Sequence, residues 1–350
     1  MSVEEKAVYP WAIIGAGPAG LASAGLLLDS GVNSKDILII DPEFHAGDFG
    51  RHWGQVHSNT SVELFLKFFA DIKGFDLEDK LLQFRLASMP HKGYCQLKEV
   101  SEILLSITNK FRTLLSLTQG YVKNLAVDHG VWQLDVDQRQ YQAEKVILAT
   151  GSDPKSLSHK ETVEISLYDA LNPPKLRYLI NKGDSVAVFG SSHSSMIIMK
   201  NLLDLGVNSI INFYLSAPRY AIKMDGWTLY DNTGLKADTA KWAHDNISQK
   251  LDPRIQRYIS NPENIDRHMP ACNKAVYPIG FKARFPEVSG VDVSKYDVNT
   301  GIIAPGLFGA GIAFPRKIVN PLGGVEFNVG LYKFMNDIRR VIPIWLKYGL

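Results

Sequence analysis

Cysteine is scarce: the 350 residues contain only Cys95 and Cys272. Their separation leaves no C-x-x-C dithiol, no four-cysteine metal site and no disulfide framework, and the expectation for each is a buried structural thiol. Charge of one sign is equally lacking, since 38 basic and 36 acidic side chains give a net +2 and neither sign forms a long block. That balance gives no electrostatic footprint for nucleic acid or an anionic membrane. The opening MSVEEKAVYPWAIIGAGPAG carries Glu4 and Glu5 before a short apolar stretch broken by Gly and Pro. It resembles neither a signal peptide nor a membrane span, so a cytoplasmic protein without stable membrane insertion is expected. His45, His52 and His57 share one loop without the spacing of ligands on one helical face, and no metal site is expected there.

What is present fits an ordinary globular chain, 45% hydrophobic and 21% charged. Its length predicts two compact units, or one carrying a large insertion. The apolar run WAII at 11–14 breaks into Gly15-Ala16-Gly17-Pro18-Ala19-Gly20, and the apolar-periodic LASAGLLLDSG follows. A second apolar run, DILIID, ends on Asp41. Strand, glycine turn, helix and acid-ended strand make a βαβ unit that binds a dinucleotide. Gly15 allows the tight turn, Gly17 lets the backbone approach a pyrophosphate, Gly20 lets helix and strand pack, and Asp41 accepts from ribose hydroxyls. The free N–H groups at the helix start, opened by Pro18 and Ala19, receive the phosphates.

The same order returns at 184–215, as DSVAVFG, SSHSSMIIMKNLLDLG and NSIINFYL. VFGSSHSSM can be taken as a nucleophile elbow, Gly190-x-Ser192-x-Ser194, with His244 or His268 downstream. It can equally be a glycine loop in which serines have replaced glycines. The missing final glycine, and the dinucleotide loop already on the first strand, favour the second reading. Residues 223–275 look less regular and more polar, as a lid or as part of a second domain. The C-terminal LYKFMNDIRRVIPIWLKYGL, interrupted by Pro343, is expected to dock as a helix or to make a homodimer contact.

In order, GAGPAG at 15–20, VILATGSDP at 146–154 and GLFGAGIAFP at 306–315 resemble the motifs of the two-dinucleotide-binding-domain flavoproteins, the group of pyridine nucleotide-disulfide oxidoreductases and flavin-containing monooxygenases. The resemblance implies an α/β fold of two Rossmann-like domains, the second inserted in the first. FAD would occupy 1–155 with 276–350, and an NAD(P)-binding-like domain would occupy 156–275, with an irregular insertion at about 223–275. It implies that Thr150 and Gly151 mark the crossing between domains, and that Gly309, Gly311 and Ile312 approach the flavin. The family's usual Gly-Asp is replaced there by Gly309-Ala310-Gly311. A helix from about Val325 would aim its N-terminus at the flavin pyrimidine ring.

Without a dithiol the resemblance runs to the monooxygenases, in which RHWGQVHSNTS matches a Gly-x-Trp…Asn region. Trp53 then stands at the aromatic position and Asn59 at the asparagine beside the oxygen adduct on flavin C4a, although F-x-G-x-x-x-H is absent. Gly190, Ser191, Ser192, His193 and Ser194 would hold NAD(P)H. Arg219, just past a strand without a terminal acid, would favour NADPH through its 2′-phosphate. The expectation is an FAD-dependent NAD(P)H monooxygenase-like enzyme that oxygenates nitrogen or sulfur in a small molecule. The alternatives are a flavin reductase or oxidase of the same fold, and a flavoprotein sensor with a degenerate NAD(P) site.

Overall fold

In the computed structural model, which describes residues 8–78, 80–224, 227–229 and 234–350, Tyr9–Ile14 forms strand β1 and Pro18–Asp29 forms helix α1. Ile37–Asp41 (β2) returns parallel to β1, with Trp11 opposite Ile37 and Ile14 opposite Ile40. The strand period of two sorts the side chains onto two faces. Trp11, Ile13, Ile37 and Ile39 join the core around α1, while Ala12, Ile14, Leu38 and Ile40 join a second core on the other face. Leu21 and Leu27 of α1 are fully buried, each contributing about 2 kcal/mol.

Gly47–His52 (α2), Val62–Ala70 (α3) and Leu97–Leu114 (α4) lead into Ser116–Gln119 (β3), which extends the parallel sheet beyond β2. A meander follows: Val122–Asp128 (β4), Val131–Val136 (β5) and Arg139–Leu148 (β6). The far half of β6 pairs parallel to β1.

The chain divides into two compact units, residues 1–152 with 283–350, and residues 153–282. The second unit is built on a five-stranded parallel sheet of Val163–Glu164 (β7), Ser185–Phe189 (β8), Ser209–Tyr214 (β9), Ile255–Ile259 (β10) and Lys274–Val276 (β11), in the order β10-β9-β8-β11-β7. Helix α5 (His193–Asp204) crosses from β8 to β9. Within 223–275, the segment read from the sequence as irregular, β10 is an ordered strand of this sheet and Pro262–His268 (α6) follows it. The sequence signal was weak because Arg257 and Tyr258 sit among few apolar residues. Residues 225–226 and 230–233, inside the stretch considered as a lid, lie outside the described residues.

On return to the first unit, Glu287–Val288 (β12) joins the meander edge at β4, and Ile302–Ala304 (β13) pairs with Leu307–Gly309 (β14), which lies parallel to β6. The helix expected from about Val325 starts later. Lys317–Val319 (β15) and Val325–Phe327 (β16) form a hairpin, and the helix is Leu331–Trp345 (α7). Asn320 Oδ1 accepts the N–H groups of Leu322 and Gly324 and Gly323 has φ 80°, so NPLGG closes a turn and commits Val325 to a strand. Helix α7 continues through Pro343 to Trp345, where the lost N–H falls near the helix end, and it buries Met335, Ile338, Ile342 and Trp345 in the core around α1.

Candidate active site

The first glycine turn is shaped by what a Cβ would meet. Gly15 has φ 106°, a left-handed conformation, and a Cβ there would lie 2.4 Å from the Ala149 carbonyl oxygen. At Gly20 a Cβ would sit 1.9 Å from the Gly15 carbonyl oxygen. Gly17 differs: its φ of −75° suits any residue, and the nearest atoms to a Cβ are Gly47 Cα at 3.9 Å and Ala46 O at 4.0 Å. A Cβ at Gly17 would thus make only ordinary contacts, at the start of α1, whose first-turn N–H groups have no side-chain cap and no acidic neighbour, and Pro18 at the first helical position gives up only an orphan donor. A helix start whose first-turn amides have no side-chain cap fits a pyrophosphate.

Asp41 ends β2 beside this turn, buried. Its Oδ2 accepts the Ala16 N–H at 2.7 Å, and Oδ1 accepts those of Glu43 and Phe44 at 2.9 and 2.7 Å. The carboxylate first holds the loop in shape, and Oδ2 keeps an acceptor position for a ribose hydroxyl. Gly47, which sequence reasoning missed, has φ 59° and would bring a Cβ to 2.9 Å from Gly17 Cα. Its only signal in the sequence is the Ala-Gly pair after an acid-ended strand.

The last glycine turn meets the first. Ala310 N–H donates to Leu148 O at 2.9 Å, and Gly311, at φ 77°, would place a Cβ 2.6 Å from the Ala19 Cβ. Residues 309–312 therefore lie against the opening of α1, with Ile312 partly exposed. Gly309 is required for a different reason, because a Cβ would strike the Phe314 ring at 2.3 Å.

Thr150 and Gly151 carry an arrangement the sequence did not reveal. Thr150 Oγ1 donates to the Arg284 carbonyl at 2.5 Å, and the Arg284 N–H donates to Gly151 O at 3.0 Å. The Arg284 guanidinium reaches Thr150 O and Ser152 O and pairs with Asp48 of α2 at 2.7 Å. The Thr150 hydroxyl is thus engaged within the protein. Trp53 caps the end of α2 and Asn59 is exposed on the following segment, where its Oδ1 accepts from the Thr60 hydroxyl at 3.4 Å. This segment is fixed to the start of α4 by Ser58 N–H to Cys95 O and Leu97 N–H to Val56 O.

The second turn repeats the first with a different solution. Gly190 has φ 99°, close to Gly15, and Ser192 has φ −91° and ψ −174°, close to the −75° and −178° of Gly17. Ser192 is exposed and its side chain makes no capping bond, leaving the first-turn amides of α5, which His193 and Ser194 open, without a side-chain cap. The Ser191 hydroxyl donates to Ser216 O at 2.6 Å. Ser195, at the position of Gly20, is fully buried and donates to Phe189 O at 3.4 Å, so this turn accommodates the hydroxymethyl that the first could not. Arg219 is exposed, and its carbonyl accepts the Leu235 N–H at 2.6 Å.

Both thiols are buried. Burial pushes the Cys95 thiol up against the pull of the Ser58 hydroxyl, and burial likewise raises Cys272, beside Ser185. Among the described residues no cluster of three or more His, Cys, Asp or Glu side chains converges, and no helix is long and apolar enough to cross a membrane.

The family model for pyridine nucleotide-disulphide oxidoreductases matches residues 12–211. The chain is 33% identical to monooxygenase AgnR1 of Paecilomyces divaricatus over a 390-residue alignment, covering 95% of this chain and 97% of that protein. Among solved structures, a flavin-containing monooxygenase from Stenotrophomonas maltophilia superposes with a TM-score of 0.65 at 15% identity, covering 98% and 99% of the two chains. L-lysine 6-monooxygenase from Pseudomonas syringae gives 0.66 at 13%, covering 97% and 99%, and thioredoxin reductase from Lactococcus lactis gives 0.61 at 12%, covering 97% and 98%. All three likenesses run over nearly the whole of both chains and show a shared fold. With the family model spanning more than half of its residues and a 33% identical relative spanning nearly all of them, the chain belongs to the pyridine nucleotide-disulphide oxidoreductase family of flavoenzymes.

Proposed function

We propose that the chain is an FAD-dependent monooxygenase that draws on NADPH and oxygenates a nitrogen or sulfur atom of a small molecule. The observation that carries this reading is the pairing of two glycine turns that lead into uncapped helix starts with two buried, isolated thiols. A disulfide reductase of this fold needs neighbouring thiols that ionise, and burial disfavours the thiolate at both Cys95 and Cys272. The 33% identity to a monooxygenase supports the same direction.

In this reading the unit of residues 1–152 and 283–350, in place of the 1–155 and 276–350 expected from the sequence, holds FAD, and 153–282, in place of 156–275, holds the nicotinamide nucleotide, since Val276 closes a strand of the second sheet and Tyr277 joins its core. The amides at 15–20 receive the pyrophosphate, Asp41 Oδ2 a ribose hydroxyl, and the backbone of 309–312 the flavin side of the same cleft. Gly190 to Ser194 receive the second nucleotide, with hydroxyls at the helix start adding donors. Trp53 supplies an apolar wall and Asn59 a side-chain amide beside the reacting atoms. FAD, when bound, accepts hydride from the nicotinamide and activates oxygen.

The test is direct. Purified protein should be yellow, and anaerobic NADPH should bleach it. Admitting ¹⁸O₂ with a soft nitrogen or sulfur nucleophile should then place the label in the product. Bleaching followed by stoichiometric peroxide and no label would move the assignment to an oxidase, and a flavin that neither NADPH nor NADH bleaches would leave a flavoprotein sensor.

A further inference from the structure

In a dinucleotide fold the last residue of the second strand meets the ribose of the bound nucleotide, and an acid there selects a free 2′-hydroxyl. Strand β9 of the second unit ends on Tyr214 and is followed by Leu215 and Ser216, so no acid stands at this place. A positive charge stands there instead, and it comes from the next strand. Arg257 of β10 pairs in register with Asn212 of β9, and its guanidinium carbon lies 4.2 Å from the centre of the Tyr214 ring.

The guanidinium is held but not neutralised. Its Nε donates to Asn212 Oδ1 at 2.8 Å, and Asn212 Nδ2 in turn donates to Val188 O and Gly190 O, both at 2.8 Å. One buried amide thus ties Arg257 to the carbonyl of the glycine that opens the second turn. Arg257 Nη2 is shielded from solvent and has no hydrogen-bond partner, and no carboxylate among the described residues forms an ion pair with this side chain. Arg254, three residues earlier, shows the contrast: its Nε and Nη2 both bond the Asp252 carboxylate.

Burial disfavours the charge on Arg257 and lowers its pKa. A half-buried cation without a counter-ion is costly, and such a group is expected where a ligand supplies the anion. Arg219, the residue the sequence suggested for this role, is exposed at the surface.

We infer that Arg257, set over Tyr214 and fixed by Asn212, receives the 2′-phosphate of NADPH, so that nucleotide choice is read from the edge strand β10 and not from Arg219. The inference rests on the proposed nicotinamide nucleotide site at Gly190 to Ser194. A planar guanidinium with unused N–H groups matches a phosphate dianion in both charge and geometry.

The test is equilibrium binding to the FAD-loaded protein, by titration calorimetry with NADP⁺, NAD⁺, 2′,5′-ADP and 5′-ADP, on wild type, Arg257→Met and Arg219→Met. Methionine keeps an unbranched apolar chain over Tyr214. Arg257→Met should weaken NADP⁺ and 2′,5′-ADP by about 30-fold or more while changing NAD⁺ and 5′-ADP by less than about threefold. Arg219→Met should leave all four within about threefold, and flavin content should be unchanged throughout. Equal losses for NAD⁺ and NADP⁺ would place Arg257 at the pyrophosphate or in the fold alone, and unchanged NADP⁺ binding would remove it from the site. Either result overturns the inference. Should Arg257→Met not fold, Arg257→Lys keeps the charge and loses the fork, and it must still weaken 2′,5′-ADP selectively. A wild-type protein that binds NAD⁺ and NADP⁺ equally would sink this assignment and leave the proposed function standing. One that binds neither would sink both.

Discussion

Gly17 and Gly20 stand three residues apart on one turn, and the structure separates the reasons for each. A Cβ at Gly20 would overlap the Gly15 carbonyl, backbone against backbone, so Gly20→Ala must push helix α1 off the sheet. The expected loss is about 3 kcal/mol, read as a lowered midpoint in urea unfolding. At Gly17 the backbone is ordinary and a Cβ would make only ordinary contacts with Gly47 and Ala46, so Gly17→Ala should change apoprotein stability by less than about 1 kcal/mol. Its effect should fall on FAD, with affinity lowered about tenfold or more because the methyl group occupies the phosphate approach. Stable protein that keeps full flavin in Gly17→Ala would reject the pyrophosphate assignment. These turns were legible in the sequence because all their parts lie within a few residues. Arg257 was not, since its partner Asn212 lies 45 residues earlier, and neither was the Arg284–Asp48 pair, 236 residues apart. Parallel pairing and chain return bring such residues together without leaving a local pattern.

At the level of elements the same distinction holds. Helix α4 follows from its apolar spacing, whereas the helix expected near Val325 gave way to a hairpin once Asn320 and Gly323 closed a turn. Strand β10 was hidden because it is short and only Ile255 is fully buried, so its alternation is faint. The second unit also has an internal electrostatic clasp. Asp184 precedes β8 and pairs with Lys274 of β11 at 2.7 Å, both nearly buried. Burial works against the Asp184 charge, but hydrogen bonds from Lys274, the Asn181 N–H and the Asn273 amide outweigh it and hold the carboxyl below its usual range. A carboxyl lowered in the folded state stabilises the protein above its unfolded pKa of about 4, and this contribution disappears as pH falls through the folded value. The second unit should therefore lose stability on acidification below about pH 4. Asp184→Asn should be less stable at neutral pH and should flatten that acid limb in thermal melts. An identical acid limb in the variant would show that the clasp does not set it.

On the scale of the whole molecule, the two units have separate cores, one packed around α1 and α7, the other around Phe189, Phe213 and Tyr277. Each core carries its own glycine turn, and each turn exposes an uncapped helix start. If each turn takes one nucleotide, binding should stabilise each unit by its own ligand, because a ligand that binds only the folded form adds RT ln(1 + [L]/Kd). At one hundred times Kd this is about 2.7 kcal/mol, enough to move a calorimetric transition by several degrees. Starting from flavin-free protein, FAD should raise one transition and NADP⁺ the other. At that concentration Gly17→Ala should cut the FAD shift to about half or less and spare the NADP⁺ shift, and Arg257→Met should do the reverse. A Gly17→Ala protein whose NADP⁺ shift falls equally would show that the two turns serve one ligand. The division of FAD and nicotinamide nucleotide between the units would then have to be abandoned.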